Sequence, residues 1–127
     1  MEIAKTDKYS IEVNKQKNRI YFILRGFWES LADVPDYFSD WQRATKEVTS
    51  GFTILTDARE MITPMPEVSE LHKRTQAMLV ASGLRKTAEV VPSKSIEQSA
   101  LRRYAKVSGM AKESFDDVTE AEKWLDI

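Results

Sequence analysis

Asp57, Arg59 and Glu60 form a compact charged cluster at the end of a predicted strand, within the stretch FTILTDAREMITPMPEVSE that spans residues 52–70. Acid–base chemistry there would need a perturbed carboxylate within reach of a second reacting group. No nucleophile–base pair or metal-ligand set accompanies the cluster in the sequence. The simpler role for Asp57 is to cap the chain locally through neighbouring backbone N–H groups. His72 is the only histidine, Gln76 stands one helical turn beyond it, and the chain has no cysteine. Neither a metal site nor a histidine base is indicated, so His72 reads as an ordinary surface residue. No cofactor is called for, and the chain is read as non-enzymatic.

The other positions of interest in this stretch are hydroxyls and apolar side chains. Thr63, and less readily Ser69, could accept phosphate beside a helix N-terminus. A phosphate adds about −1.5 to −2 charges at neutral pH, enough to switch a docking edge. The plainer alternative is that Thr63 begins the turn before Pro64. Met61, Ile62 and Met65 surround two prolines, Pro64 and Pro66. Methionine adapts to varied apolar partners, and stiff prolines lower the entropy lost on docking. These side chains either form a partner-binding edge or fold back over the core as a lid.

The formal net charge is −1, which implies no global electrostatic partner. From His72 to Lys112, however, there are nine Lys/Arg and only two acids. Such a segment could steer an anion, or it could be an ordinary solvated helix exterior. Tyr104 is the only aromatic in it, and no nucleic-acid motif is present, so nucleic acid is not an expected partner. Arg102, Arg103 and Lys106 could instead meet an anionic or lipid headgroup. The longest purely apolar run, residues 20–24, is far too short to span a bilayer, and residues 1–13 lack the apolar core of a signal peptide. A soluble cytoplasmic protein is expected.

Positioning these residues falls to alternating strands and helices. Residues 1–8 read as a frayed lead-in. Tyr9, Ile11 and Val13 alternate with polar residues as in a half-buried strand. A polar turn at residues 15–18 leads into a second strand at residues 19–25, giving an antiparallel hairpin that Gly26 ends. Asp33 is placed to cap a helix with Pro35 in its first turn. Val34, Tyr37, Phe38, Trp41, Ala44 and Val48 follow the helical period up to Gly51, which makes Trp41 a core anchor. Residues 52–56 form the third strand. Val68, Leu71, Thr75, Met78 and Leu79 line the next helix, ending near Gly83. Residues 87–91 form a fourth strand, stopped by Pro92. Ile96, Ala100, Tyr104 and Val107 suggest a further helix, closed by Gly109. Residues 114–115 add a brief fifth strand, and Asp116 or Asp117 caps a last helix with Val118, Ala121, Trp124 and Leu125 facing inward. One α/β domain over residues 1–127, with a mostly parallel sheet after the hairpin, follows from this order.

That order, with LTDAR after the third strand and the closing FDDVTEAEKWL of residues 115–125, resembles the SpoIIAA-like branch of the STAS fold. STAS domains occur in anti-sigma-factor antagonists and sulfate transporters, and the branch is related to the lipid-binding Sec14 fold. The resemblance implies an α/β domain with about five strands in a mixed sheet, an N-terminal β-hairpin and four helices. In the antagonists the loop after the third strand leads to a phosphorylated serine, in a pattern like Asp, about six residues, then Asp–Ser–Ser–Gly. Asp57 matches the first aspartate. The Asp–Ser–Ser–Gly part is missing here, and Met61, Ile62, Thr63, Pro64, Met65 and Pro66 follow instead. The fold is thereby implied while the serine switch is not.

The expected function is a protein-interaction or regulatory module. It would dock through the loop after the third strand and the start of the following helix, with Asp57, Arg59, Met61, Ile62, Thr63, Met65 and Ser69 as partner-binding residues and Thr63 as the candidate phosphosite. The alternative is a small apolar-ligand or lipid-binding module with its pocket between sheet and helices. Arg102, Arg103 and Lys106 would then lie near the pocket mouth. A homodimer through an exposed sheet edge is a further option.

Overall fold

The computed structural model describes residues 1–61, 65–92 and 111–127. In chain order, its elements are β1 (Glu2–Lys5), β2 (Tyr9–Asn14), β3 (Arg19–Gly26), a 3-10 turn (Leu31–Asp33), α1 (Tyr37–Thr45), β4 (Thr53–Met61), α2 (Pro66–Ala81), β5 (Lys86–Val90), β6 (Ala111–Phe115) and α3 (Val118–Leu125). The six strands form one sheet in sequence order. β1, β2 and β3 pair antiparallel, whereas β3–β4, β4–β5 and β5–β6 are parallel.

Among the described residues the sheet has six strands rather than the expected five, because residues 2–5 are not a loose lead-in. They pair along β2, with Ala4 opposite Ile11 and Lys5 opposite Ser10. Ile3 and Ala4 pack against the main core, which gives this short, charged edge its hold. The hairpin of β2 and β3 is as expected, with Tyr9 opposite Leu24 and Asn14 opposite Arg19. Strand alternation puts Tyr9, Ile11 and Val13 on one face and leaves Ser10, Glu12 and Asn14 on the other.

Two further corrections concern element ends. Asp33 does not cap the first helix. Its carboxylate accepts from the Glu29 and Ser30 N–H groups at 2.8 and 3.4 Å and closes the 3-10 turn, and α1 begins only at Tyr37. The third strand expected at residues 52–56 runs on as β4 to Met61, because an irregularity between Ile23 and Arg25 keeps it paired with β3 as far as Gly26 opposite Met61. Asp57 and Arg59 are therefore strand residues and not loop residues. The helix expected from Ile96 to Val107 lies outside the described residues.

Helices cover both faces. α1 and α2 pack on one, around Tyr9, Ile11, Ile20, Phe22, Trp28, Tyr37, Trp41, Phe52, Ile54 and Val68. α3 packs on the other, where Leu55, Ala88 and Val90 meet Ala121 and Leu125. Asp117 caps α3, its carboxylate accepting from the Thr119 N–H at 2.9 Å. Among the described residues, no helix is long and apolar enough to cross a membrane.

Candidate functional site

Of the residues expected to form a docking edge, Asp57 and Arg59 lie apart from Met65 and Ser69. Asp57 and Arg59 bind each other. Arg59 Nε and Nη2 donate to the two Asp57 oxygens at 3.0 and 2.8 Å, and the Arg59 N–H donates to Oδ1 at 3.2 Å. This forked contact holds the Asp57 carboxyl below the usual carboxylate range. The pair follows Leu55 on alternate positions of β4, and Leu55 belongs to the α3 face of the sheet. Met65 and half-buried Ser69 instead sit at the start of α2, on the opposite face. Met65 is 46% exposed. Met61 ends β4. Ile62 and Thr63, the candidate phosphosite, lie outside the described residues, as do Arg102, Arg103 and Lys106 of the suggested headgroup site.

A cavity of about 240 Å³ lies instead between the sheet and the helix pair α1–α2. Its floor is Phe22 and Leu24 of β3, Ile54 and Thr56 of β4, and Thr87 and Glu89 of β5; Lys112 of β6 stands at its side. Tyr37 and Trp41 of α1 and His72, Thr75, Gln76 and Leu79 of α2 supply the opposite wall. Three of the polar groups lining the cavity have structural partners. The Thr75 hydroxyl donates to the Leu71 carbonyl at 2.9 Å, bonding back along its own helix. Glu89 and Lys112 pair at 3.2 Å across neighbouring parallel strands.

His72 is the main correction to the sequence reading. It is not a free surface histidine. Its ring stacks on Trp28 with centroids 5.0 Å apart, and its Nδ1 lies 3.0 Å from the Tyr37 hydroxyl. Burial pushes its pKa down from 6.5 to about 4, against a weaker opposing pull from Glu89, so it is neutral at pH 7. The Tyr37 phenol is raised by burial. The nearby Trp41 indole N–H partly offsets that rise, although it falls outside hydrogen-bond geometry with any partner. His72 Nε2 is likewise buried and unpartnered. Tyr9, Phe22, Trp28, Tyr37, Trp41 and His72 form a continuous set of ring contacts with centroids 4.9–6.5 Å apart.

A signal for His72 was present in the sequence. It lies four residues after Val68 and three before Thr75, both fully buried, and so shares their helix face. Trp41 is a core anchor, as expected, and also a cavity wall. Among the described residues, no group of three or more acidic or histidine side chains is placed to hold a metal.

No protein-family model matches the chain, and no curated protein does. The structure is similar to the crystal structure of an uncharacterized protein of the DUF3478 family from Shewanella loihica PV-4, which has a SpoIIAA-like fold. The TM-score is 0.69 at 14% sequence identity, with 96% of this chain and 97% of that chain covered. The chain has a SpoIIAA-like fold. At this identity the likeness carries the fold and no function.

Proposed function

We propose that this protein is a non-enzymatic binding module of the STAS type that holds a small, mostly apolar molecule between its sheet and α1–α2. The observation that supports this reading is the cavity of about 240 Å³, walled by Phe22, Leu24, Tyr37, Trp41, Ile54 and Leu79 with a few convergent polar groups. Ligand sites have that make-up, and roughly 300–1,000 Å³ is usual for drug-sized ligands. The space here suits one ring with a substituent, and falls well short of a two-chain lipid.

The test is a fragment titration of the full chain followed by NMR. Saturable binding that shifts the Trp41 indole N–H is expected, and Leu84→Trp, a bulkier side chain at a residue that also lines the cavity, is expected to abolish it while the fold is kept. Binding that maps elsewhere, or that survives the filled cavity, would refute the reading.

A second reading, docking of a protein at the strand ends, draws on a different observation. Phe27, Leu31 and Met65 are large apolar side chains left 36%, 45% and 46% exposed where β3 ends and α2 begins. Leu31 also faces Glu67, Glu70 and Leu71 across a shallow groove. Replacing Leu31 and Met65 by serine is expected to leave ligand binding intact; loss of a native partner in those variants alone would favour docking.

A further inference from the structure

The following rests on the docking reading above and names the partner's chemistry. We infer that the groove between Leu31 and the first turns of α2 takes a basic amphipathic segment of another protein. An apolar side chain of that segment seats on Leu31 and Leu71, and a lysine or arginine beside it meets Glu67.

Leu31 is exposed by construction. It opens the 3-10 turn between Trp28 and Val34, which are 0% and 3% exposed and anchor the chain on either side. The Asp33 carboxylate accepts from the Glu29 and Ser30 N–H groups, and the Asp33 N–H donates to the Ser30 carbonyl at 3.1 Å, so the turn is closed on itself. The Leu31 side chain is left outside, 45% exposed, and lines one groove with Glu67, Glu70, Leu71, Lys73 and Arg74. Met65, 46% exposed, precedes this wall as the N-cap residue of α2. An apolar side chain that is already held in place loses little freedom on docking, and a few such anchors carry most of an interface's affinity.

The charge left over around the groove is negative. Lys73 reaches back to Glu70 at 3.2 Å, and the Arg74 guanidinium lies over the Phe38 ring, 4.8 Å from its centroid. Glu67 is exposed and forms no ion pair among the described residues. The same holds for Glu29 and Asp36, which flank Leu31 in the chain. No lysine or arginine occurs from Phe27 to Gln42. A basic partner is attracted to such a rim and an acidic one is repelled. A second copy of this chain, docked by two-fold symmetry, would bring the same unpaired acids to both sides. An anionic lipid surface would meet those carboxylates with like charge.

The test is a helix-biased random peptide library displayed on phage and panned against the full chain, with the recovered clones retested on Leu31→Ser and on Glu67→Lys. Both positions are exposed, and both variants are expected to unfold at the wild-type temperature. Clones that lose about thirtyfold in affinity on Leu31→Ser are expected, the loss appropriate to an anchor residue. Their sequences are expected to be rich in lysine and arginine beside apolar residues. Glu67→Lys is expected to weaken these clones about fivefold, and more at low salt than at high salt. Leu31-dependent clones that are neutral or acidic, or that bind Glu67→Lys as well as the wild type, would overturn the inference and leave the docking reading standing. Recovery of no Leu31-dependent clone would sink the docking reading with it. Sedimentation of the chain alone and flotation with phosphatidylserine vesicles address the other occupants. Self-association or vesicle binding that Leu31→Ser abolishes would assign the groove to a second copy or to a membrane, and would overturn the inference.

Discussion

Arg19 Nη2 donates to the Asp126 carboxylate at 2.8 Å, tying the first residue of β3 to the residue that follows α3. The same guanidinium reaches Glu122 Oε2 at 3.1 Å and the Thr53 hydroxyl at 2.9 Å. Its side chain is only 3% exposed, whereas those of Glu122 and Asp126 are 22% and 56% exposed. α3 is short, so this buried cation supplements the apolar contacts of Ala121 and Leu125 in holding it to the sheet. Arg19 also holds the Asp126 carboxyl below the usual range.

The asymmetry in exposure sets the order of two substitutions. Arg19→Met leaves Asp126 able to turn to water and Glu122 still paired with Lys17 at 3.0 Å. Glu122→Gln combined with Asp126→Asn leaves a guanidinium that is only 3% exposed without its counter-charges. The double acid variant is expected to be the less stable by at least about 1 kcal/mol. Urea denaturation of both proteins measures this, and the reverse order would show that Arg19 acts through packing alone.

Gly83 and Gly51 both have positive φ, 105° and 91°, and they touch: the Gly51 N–H donates to the Gly83 carbonyl at 2.7 Å. A Cβ on Gly83 would lie 2.5 Å from Ser50 Oγ and 2.8 Å from Ser50 Cα, whereas one on Gly51 meets nothing within 4 Å. Gly51→Ala is expected to cost about 1–2 kcal/mol from the backbone alone. Gly83→Ala adds a clash with backbone and is expected to cost more than that. Thermal unfolding of the two variants makes the comparison, with equal losses arguing against the close approach.

Most of the scaffold was legible because its period was clean. Tyr9, Ile11 and Val13, and later Val118, Ala121, Trp124 and Leu125, give their element type by spacing alone. β1 was not legible, since a four-residue edge strand with two charged residues has too little period to register. The reach of β4 past Thr56 was hidden because pairing with β3, not local propensity, extends it. The expected docking edge rested on chain proximity, and a strand sends neighbouring side chains to opposite faces, so Asp57 and Ser69 part company. The cavity depends on which side chains from four strands and two helices meet, and no linear pattern encodes that.

Tyr9 and Asp40 supply a test of the aromatic core. The Tyr9 hydroxyl donates to Asp40 Oδ2 at 2.6 Å, and Arg43 Nη2 donates to Oδ1 at 2.7 Å. Asp40 is only 7% exposed, so its charge relies on both. Tyr9→Phe keeps the ring contacts with Trp28 and Tyr37 and removes only the donor. A loss of about 1.5–3 kcal/mol is expected, the range for a hydrogen bond to a charged group. A loss below about 0.5 kcal/mol in chemical denaturation would mean that Arg43 alone suffices.

His72 makes stability fall with acid. Its pKa is about 4 in the folded protein against an ordinary 6.5, because burial beside Trp28 and Tyr37 disfavours the charged ring while Glu89 opposes this only in part. The unfolded chain therefore binds the extra proton first. The contribution is fully present above about pH 6.5, declines as the pH falls, and is lost by about pH 4. With a discount for the part of the ring that reaches solvent, the change is about 2–3 kcal/mol. Asp57, held low by Arg59, loses its own contribution only below about pH 4, so the two windows separate. Unfolding free energies of the wild type and His72→Phe, compared at pH 7.5 and pH 4.5, read the effect as a difference of slopes. The variant is expected to be flatter over that interval. Parallel slopes would mean that the His72 ring titrates alike in both states, and that the stacked, hydrogen-bonded environment does not hold in solution.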